Sequence, residues 1–315
     1  MDRYPRICCT EKRKRLTNSI FPLQQMLGTS ILWFGWYGFN CGTAMLHPNE
    51  GSENIAALAG VNTTLSAGMA GMTALFANLF ILERLTGEPY FDLKYLMNGV
   101  LCGLVAVTAG CGVMEPWAAC VTGFMAGFVY IFGSRGLIHM KLDDAVDAIP
   151  VHLLSGILGV LSVGFFAAPR HLEVVYGHAD YPGLFYTWRD GDSSARLLGV
   201  QCVGLLFIIG WVMCLMLPFF VWLDWKGWFR SDPLEEIVGL DTSYHGGLYL
   251  HATDDDTVNS QAIEELRRRR ADHTKSHINN GEYHVSGEFH VSNNGVTNTE
   301  LSPQSDDEVE DVDDP

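Results

Sequence analysis

The stretch LLGVQCVGLLFIIGWVMCLMLPFFVWL, Leu197 to Leu223, runs for 27 residues without an Asp, Glu, Lys or Arg. A bilayer core about 30 Å thick needs about 20 residues of helix at about 1.5 Å rise each. Five comparable charge-free stretches precede it: Leu16 to Pro48, Asn54 to Leu82, Tyr95 to Met114, Pro116 to Ser134 and Ala148 to Pro169. Together they predict an all-α polytopic membrane bundle with six transmembrane helices. A soluble domain would have to bury six all-round-apolar helices at once.

Charge divides the chain into two bodies. Up to Arg230 there are 15 basic and 16 acidic residues; from Ser231 onward there are 5 and 20. Nearly all of the −16 net charge therefore lies in the tail and says nothing about the substrate of the apolar body. Lys and Arg crowd an N-terminal arm, residues 1–18, and recur at Arg84, Lys94, Arg135, Lys141, Lys226 and Arg230, with Arg170, Arg189 and Arg196 in the fifth connection. The segment His47 to Glu53 and the turn at Glu115 have none. The positive-inside rule then puts both termini in the cytoplasm and makes the loop around Gly177 to Ser194 external. The arm is read as cytoplasmic rather than as a cleaved signal, because the apolar run after it is about twice the length of a signal core. The tail, 251–315, is acidic and poor in aromatics, a composition expected to stay disordered.

The 8 cysteines mostly lie inside apolar runs and read as small packing residues. No metal-ligand spacing, phosphate loop or nucleophile–base pair stands out, so no enzyme activity, cofactor or nucleic-acid partner is expected. Gly99 and Gly103, Gly123 and Gly127, and Ser155 and Gly159 place small side chains four residues apart, which lets helices approach closely in lipid.

Polar groups within the apolar runs have two readings each. Asn62, Thr63, Thr64, Asn78 and Asn98 can bond between helices or line a path. His152 can be a packed imidazole or a pore residue that relays a proton. Asp144 and Asp147 lie just upstream, where carboxylates cap and seat a helix start. Trp36, Phe39 and Thr43 share one helix face. That face can be an interfacial belt or a cation-binding wall.

In order, ILWFGWYGFN (Ile31 to Asn40), VNTTLS (Val61 to Ser66), MNGVL (Met97 to Leu101), AGC (Ala109 to Cys111), EPW (Glu115 to Trp117) and DDAVDAIPVH (Asp143 to His152) resemble the Amt/MEP family of ammonium transporters. GLD at Gly239 to Asp241 and HGG at His245 to Gly247 fit the plant and algal style. The likeness covers about Ser19 to Leu250.

The resemblance implies a fold of about eleven helices in two inverted halves, of which this chain matches the second half plus the final helix. It implies ammonium or ammonia transport through a hydrophobic pore. His152 falls on the second of twin pore histidines and Phe39 on an outer gate. Thr43, with Trp36, falls at ammonium recruitment, and Asp144 and Asp147 at pore support. Residues 19–228 would be the membrane domain and 229–250 a cytoplasmic regulatory segment, with Ser243 where plant relatives carry a phosphorylatable Thr. A multi-pass plasma-membrane protein follows, a homotrimer or a trimer with full-length paralogues, with a kinase or signalling protein at its tail. A pore of these residues alone is not expected to conduct selectively. The other reading is a non-conducting subunit that regulates or joins such trimers.

Overall fold

A computed structural model describes residues 21–45, 51–86, 91–142, 144, 146–191, 194–231, 268, 291–292 and 295–296. The chain divides into two compact units. One comprises Ile7–Lys226; the other comprises Met1–Arg6 with Gly227–Pro315. The basic arm, most of the regulatory segment and most of the acidic tail lie outside the described residues.

Helices occupy all six charge-free stretches. They are α1 (Phe21–Met45), α2 (Ser52–Thr86), α3 (Leu93–Thr108), α4 (Pro116–His139), a π-helical turn (Ile149–Leu154) that continues as α5 (Ser155–Phe166), and α8 (Arg196–Trp225). Two short helices, α6 (Pro169–Tyr176) and α7 (Leu184–Arg189), fold the long connection before α8. Glu53–Ile81, Pro116–His139, Ile149–Phe166 and Arg196–Trp225 are long and apolar enough to cross a membrane. Six spans were expected. α1 has the length, at 25 residues, but α3 has only 16. It ends at Thr108, whose hydroxyl turns back to the Leu104 carbonyl at 2.7 Å, before the glycine-bearing turns of Ala109–Val113.

The small-residue pairs explain the packing. α2, α3 and α4 form the central trio, and glycines of α3 and α4 close on one stripe of α2. A Cβ added at Gly99 would lie 2.6 Å from Ala74 Cβ, and one at Gly103 would strike the Ser66 carbonyl and lie 2.7 Å from Ala70 Cβ. From the other side, a Cβ at Gly123 would strike the same Ser66 carbonyl, and one at Gly127 would lie 2.8 Å from the Ala70 carbonyl. Ser66, Ala70 and Ala74 are i,i+4 neighbours, so one face of α2 carries both contacts. Gly159 of α5 meets the Ala106 carbonyl of α3 in the same way, at 2.6 Å. Ala70, Ala74, Cys102, Ala106, Ala126, Tyr130, Ile131 and Val151 fill the core between these helices. α1 lies against α2 and α3, and α8 against α5.

Thr63, Thr64, Asn78 and Asn98 each bond between helices, and Asn62 bonds to the turn between α3 and α4. Asn40 Nδ2 donates to Thr63 Oγ1 at 2.9 Å, and Asn62 Nδ2 donates to the Cys111 and Met114 carbonyls at 2.8 and 2.7 Å. At the same end of the bundle the Ala168 amide donates to the Val113 carbonyl at 2.8 Å, tying the end of α5 to the α3–α4 turn. In the other unit, Val291–Ser292 pairs antiparallel with Gly295–Val296.

Candidate functional site

Three levels along α3 organise the polar and aromatic groups. At its C-terminal end lies a cavity of about 190 Å³, lined by Phe39, Thr43, Thr108, Cys111, Gly112 and Tyr176 among others. Phe39 and Thr43, read from sequence as gate and recruitment residues, come together here on the last turns of α1. Phe39 is 59% exposed, its ring edge-on to Trp36 at 6.5 Å between centroids. Thr43 Oγ1 donates to the Phe39 carbonyl at 2.6 Å, so its own proton is committed and its oxygen is left as an acceptor.

Trp36 is placed differently. Its Nε1 donates to Thr108 Oγ1 at 2.8 Å, and its ring packs on Ala67, Val100 and Leu104. It is not among the residues that line the cavity.

The middle level belongs to the π-turn. Pro150 has no amide proton, and its carbonyl accepts from both the amide and the hydroxyl of Ser155, the latter at 3.1 Å. Cys102 Sγ of α3 reaches the same carbonyl at 4.0 Å. His152 sits on this turn with its side chain exposed. It does not border the cavity of Phe39 and Thr43.

The third level is polar and buried. Asp144 accepts from the Ala148 and Ile149 amides at 2.8 Å each, a helix-start cap. Asp147 does something else. It is 1% exposed, and its φ of 59° is uncommon for a residue with a Cβ. Its Oδ1 accepts from Ser134 Oγ at 3.0 Å. Its Oδ2 accepts from Tyr130 Oη at 3.2 Å and Asn98 Nδ2 at 3.3 Å, and Lys94 Nζ lies 3.5 Å away. Gln25 of α1 donates to Asn98 Oδ1 at 3.1 Å, so α1, α3 and α4 all converge on this carboxylate. Sequence reading paired Asp147 with Asp144 as a cap and missed this cluster. The available signal was Lys94 and Asn98, one turn apart at the start of an apolar run.

A further pair was missed altogether. His171 Nε2 of α6 lies 3.1 Å from Glu115 Oε1 in the α3–α4 turn, off the line of a hydrogen bond. Burial, reinforced by Arg170, holds the His171 pKa below its ordinary 6.5, against the opposing pull of Glu115. Ser243 lies outside the described residues.

No group of three or more His, Cys, Asp or Glu side chains that could hold a metal occurs among the described residues. The arrangement offers an aromatic face with an outward acceptor oxygen, an imidazole deeper along the bundle, and a pinned carboxylate beyond it.

The Ammonium Transporter Family matches residues 4–249, beginning inside the basic arm. Ammonium transporter 1 member 1 of Oryza sativa subsp. japonica is 35% identical over 78% of this chain and 49% of its own length. Ammonium transporter 3 of Dictyostelium discoideum is 36% identical over 70% of this chain and 48% of its own. Among solved structures, a sensor Amt protein aligns with a TM-score of 0.54 and 31% identity, covering 70% of this chain and 48% of that one. Candida albicans Mep2 shares the fold at a TM-score of 0.55 and 24% identity, over 70% and 47% of the two chains. The chain spans about half the length of the curated relatives it matches. By the extent of the family match and the identity to these transporters, the chain belongs to the Ammonium Transporter Family.

Proposed function

We propose that this chain supplies pore-lining elements for transport of ammonium or ammonia, with Phe39 and Thr43 at the outer mouth and His152 deeper inside. The observation that carries the reading is the axial order along α3. The mouth lies level with Thr108, the histidine-bearing turn with Cys102 and the Asp147 cluster with Asn98. At about 1.5 Å per residue, the turn lies about 9 Å below the mouth and the cluster about 6 Å further. Interrupted helices beside such a path are a recurrent feature of transporter sites. α3 stops early and α5 begins in a π-turn at a proline.

The chemistry follows from the cost of burying charge. Ammonium at the mouth gains attraction from the Phe39 ring, reaching about 2 kcal/mol where water is excluded. The Thr43 oxygen is free to accept one of its N–H groups. A bare cation cannot cheaply enter an apolar lumen, whereas neutral ammonia can. His152, with one donor and one acceptor when neutral, can hold or pass the separated proton. Potassium has no proton to lose and stays outside.

The protein takes six spans with both termini in the cytoplasm of a plasma-membrane protein, and it works in trimers. A tail kinase acts at Ser243, where phosphate would add about −1.5 to −2 charge. Transport is tested in yeast lacking ammonium uptake. The full chain is expressed alone and together with the segment of the Oryza transporter that lies outside the match. Saturable methylammonium uptake by the pair, lowered at least tenfold by His152→Ala to a residual but measurable rate, is the expected result. Uptake unchanged by His152→Ala would refute the pore assignment, and no uptake with both pieces co-purifying in the membrane would refute the transport reading.

A further inference from the structure

We infer that the buried Asp147 cluster is a positioning device that holds the π-turn, and so fixes where His152 points. The inference rests on the pore reading for its consequence in transport, but its structural core can be measured without transport. Asp147 precedes the turn by two residues, and its left-handed backbone breaks the chain direction between the Asp144 cap and Ile149. Such a conformation is unfavourable for a residue with a Cβ and persists only where surroundings enforce it. Here the enforcing groups are visible. Ser134 and Tyr130 come from α4, and Asn98 and Lys94 from α3. The Asp147 carbonyl in turn accepts the Val151 amide at 3.0 Å, the residue just before His152.

The far side of the turn is pinned as well. The Pro150 carbonyl, held by Ser155 and near Cys102, receives the i+5 bond that makes the turn π rather than α. π-turns within helices concentrate at functional sites because they re-aim one side chain. Released from Asp147, the segment could relax toward α-helical winding, and a one-residue change of register rotates a side chain by about 100°. His152 would then leave its present direction while the Gly-mediated contacts of α2, α3 and α4 stay as they are.

The first test uses the purified full chain. Carbethoxylation rates of individual histidines are read by mass spectrometry for wild type, Asp147→Asn and Ser134→Ala. His152 is expected to change at least threefold in both variants, with exposed His178 unchanged. An unchanged His152 rate, or a parallel change at both histidines, overturns the inference. Should Asp147→Asn not accumulate, Ser134→Ala and Tyr130→Phe, which each remove one donor, carry the comparison.

The second test is a cycle in the two-piece uptake assay, normalised to surface abundance. Asp147→Asn is expected to lower the maximal rate about tenfold with KM within twofold, and to add nothing in the His152→Ala background. Slowing by the same factor in both backgrounds, or no slowing in the first, overturns the positioning role while leaving the pore reading intact. A wild-type rate in His152→Ala alone overturns both, whereas a changed labelling rate with no transport defect overturns only the consequence for transport.

Discussion

Adding a single methyl group at Gly123 should separate the packing argument from general helix preference. The new Cβ would strike the Ser66 carbonyl and lie 2.8 Å from Ser66 Cα, well inside the 3.4 Å at which ordinary contact begins. Both blocking atoms are backbone, so no side chain can swing away and α2 and α4 must part. Overpacking of this kind costs about 1–3 kcal/mol. Replacing Gly by Ala also gains up to about 1 kcal/mol of helix propensity, which would blur a single measurement. Gly136 on the same helix removes that ambiguity, because a Cβ there meets nothing within 4 Å. Gly136→Ala shares the propensity gain without the clash. Reversible unfolding in mixed micelles should therefore rank Gly136→Ala at or above wild type and Gly123→Ala about 1–3 kcal/mol below Gly136→Ala. Values within 0.5 kcal/mol of one another, about a third of a tenfold change in the equilibrium constant, would refute the close-packed stripe.

Three further outcomes follow from the same geometry. Because the folded-state pKa of His171 lies below 6.5, the unfolded chain binds the proton first. Stability is then full above pH 6.5 and falls as pH drops through that value, so His171→Gln should flatten the unfolding free energy between pH 5 and 7; an unaltered slope would disprove it. Asn62→Ala orphans two buried carbonyls, those of Cys111 and Met114, and should destabilise the protein by about 2–4 kcal/mol in the same micelle titration. Phe39→Ala removes up to about 2 kcal/mol of cation attraction and should raise the half-saturating methylammonium concentration by as much as about thirtyfold, whereas Phe39→Tyr should keep it near wild type.

What could be read from the chain alone follows the range of each interaction. The charge-free stretches give the helices because bilayer thickness acts on every residue of a run at once. Gly99, Gly103, Gly123 and Gly127 announce close approach, but not that two helices share the stripe of Ser66, Ala70 and Ala74. Phe39 and Thr43 are one turn apart, so their common face was legible; the α6 wall opposite them was not, because it arrives more than 130 residues later. Asp144 caps amides four and five residues on, a local rule. Asp147, three residues further, draws its partners from Ser134 back to Lys94, and no local pattern distinguishes the two carboxylates. The early end of α3 and the π-turn at Pro150 also escape periodicity: the first carries the Thr108–Leu104 bond and the second the Ser155–Pro150 bonds, local side-chain and backbone details that a charge-free run does not announce.

The central claim is that the Phe39 mouth and the His152 turn serve one conduit. Electron cryomicroscopy of the chain assembled with the complementary transporter segment, in lipid, tests it most directly. The account predicts a narrow passage bordered by Phe39 and Thr43 at one level and by the His152 imidazole about 9 Å deeper, at the rise of six helical residues. A map with either side chain turned to lipid, or with packed side chains closing the path between them in every state, would contradict it.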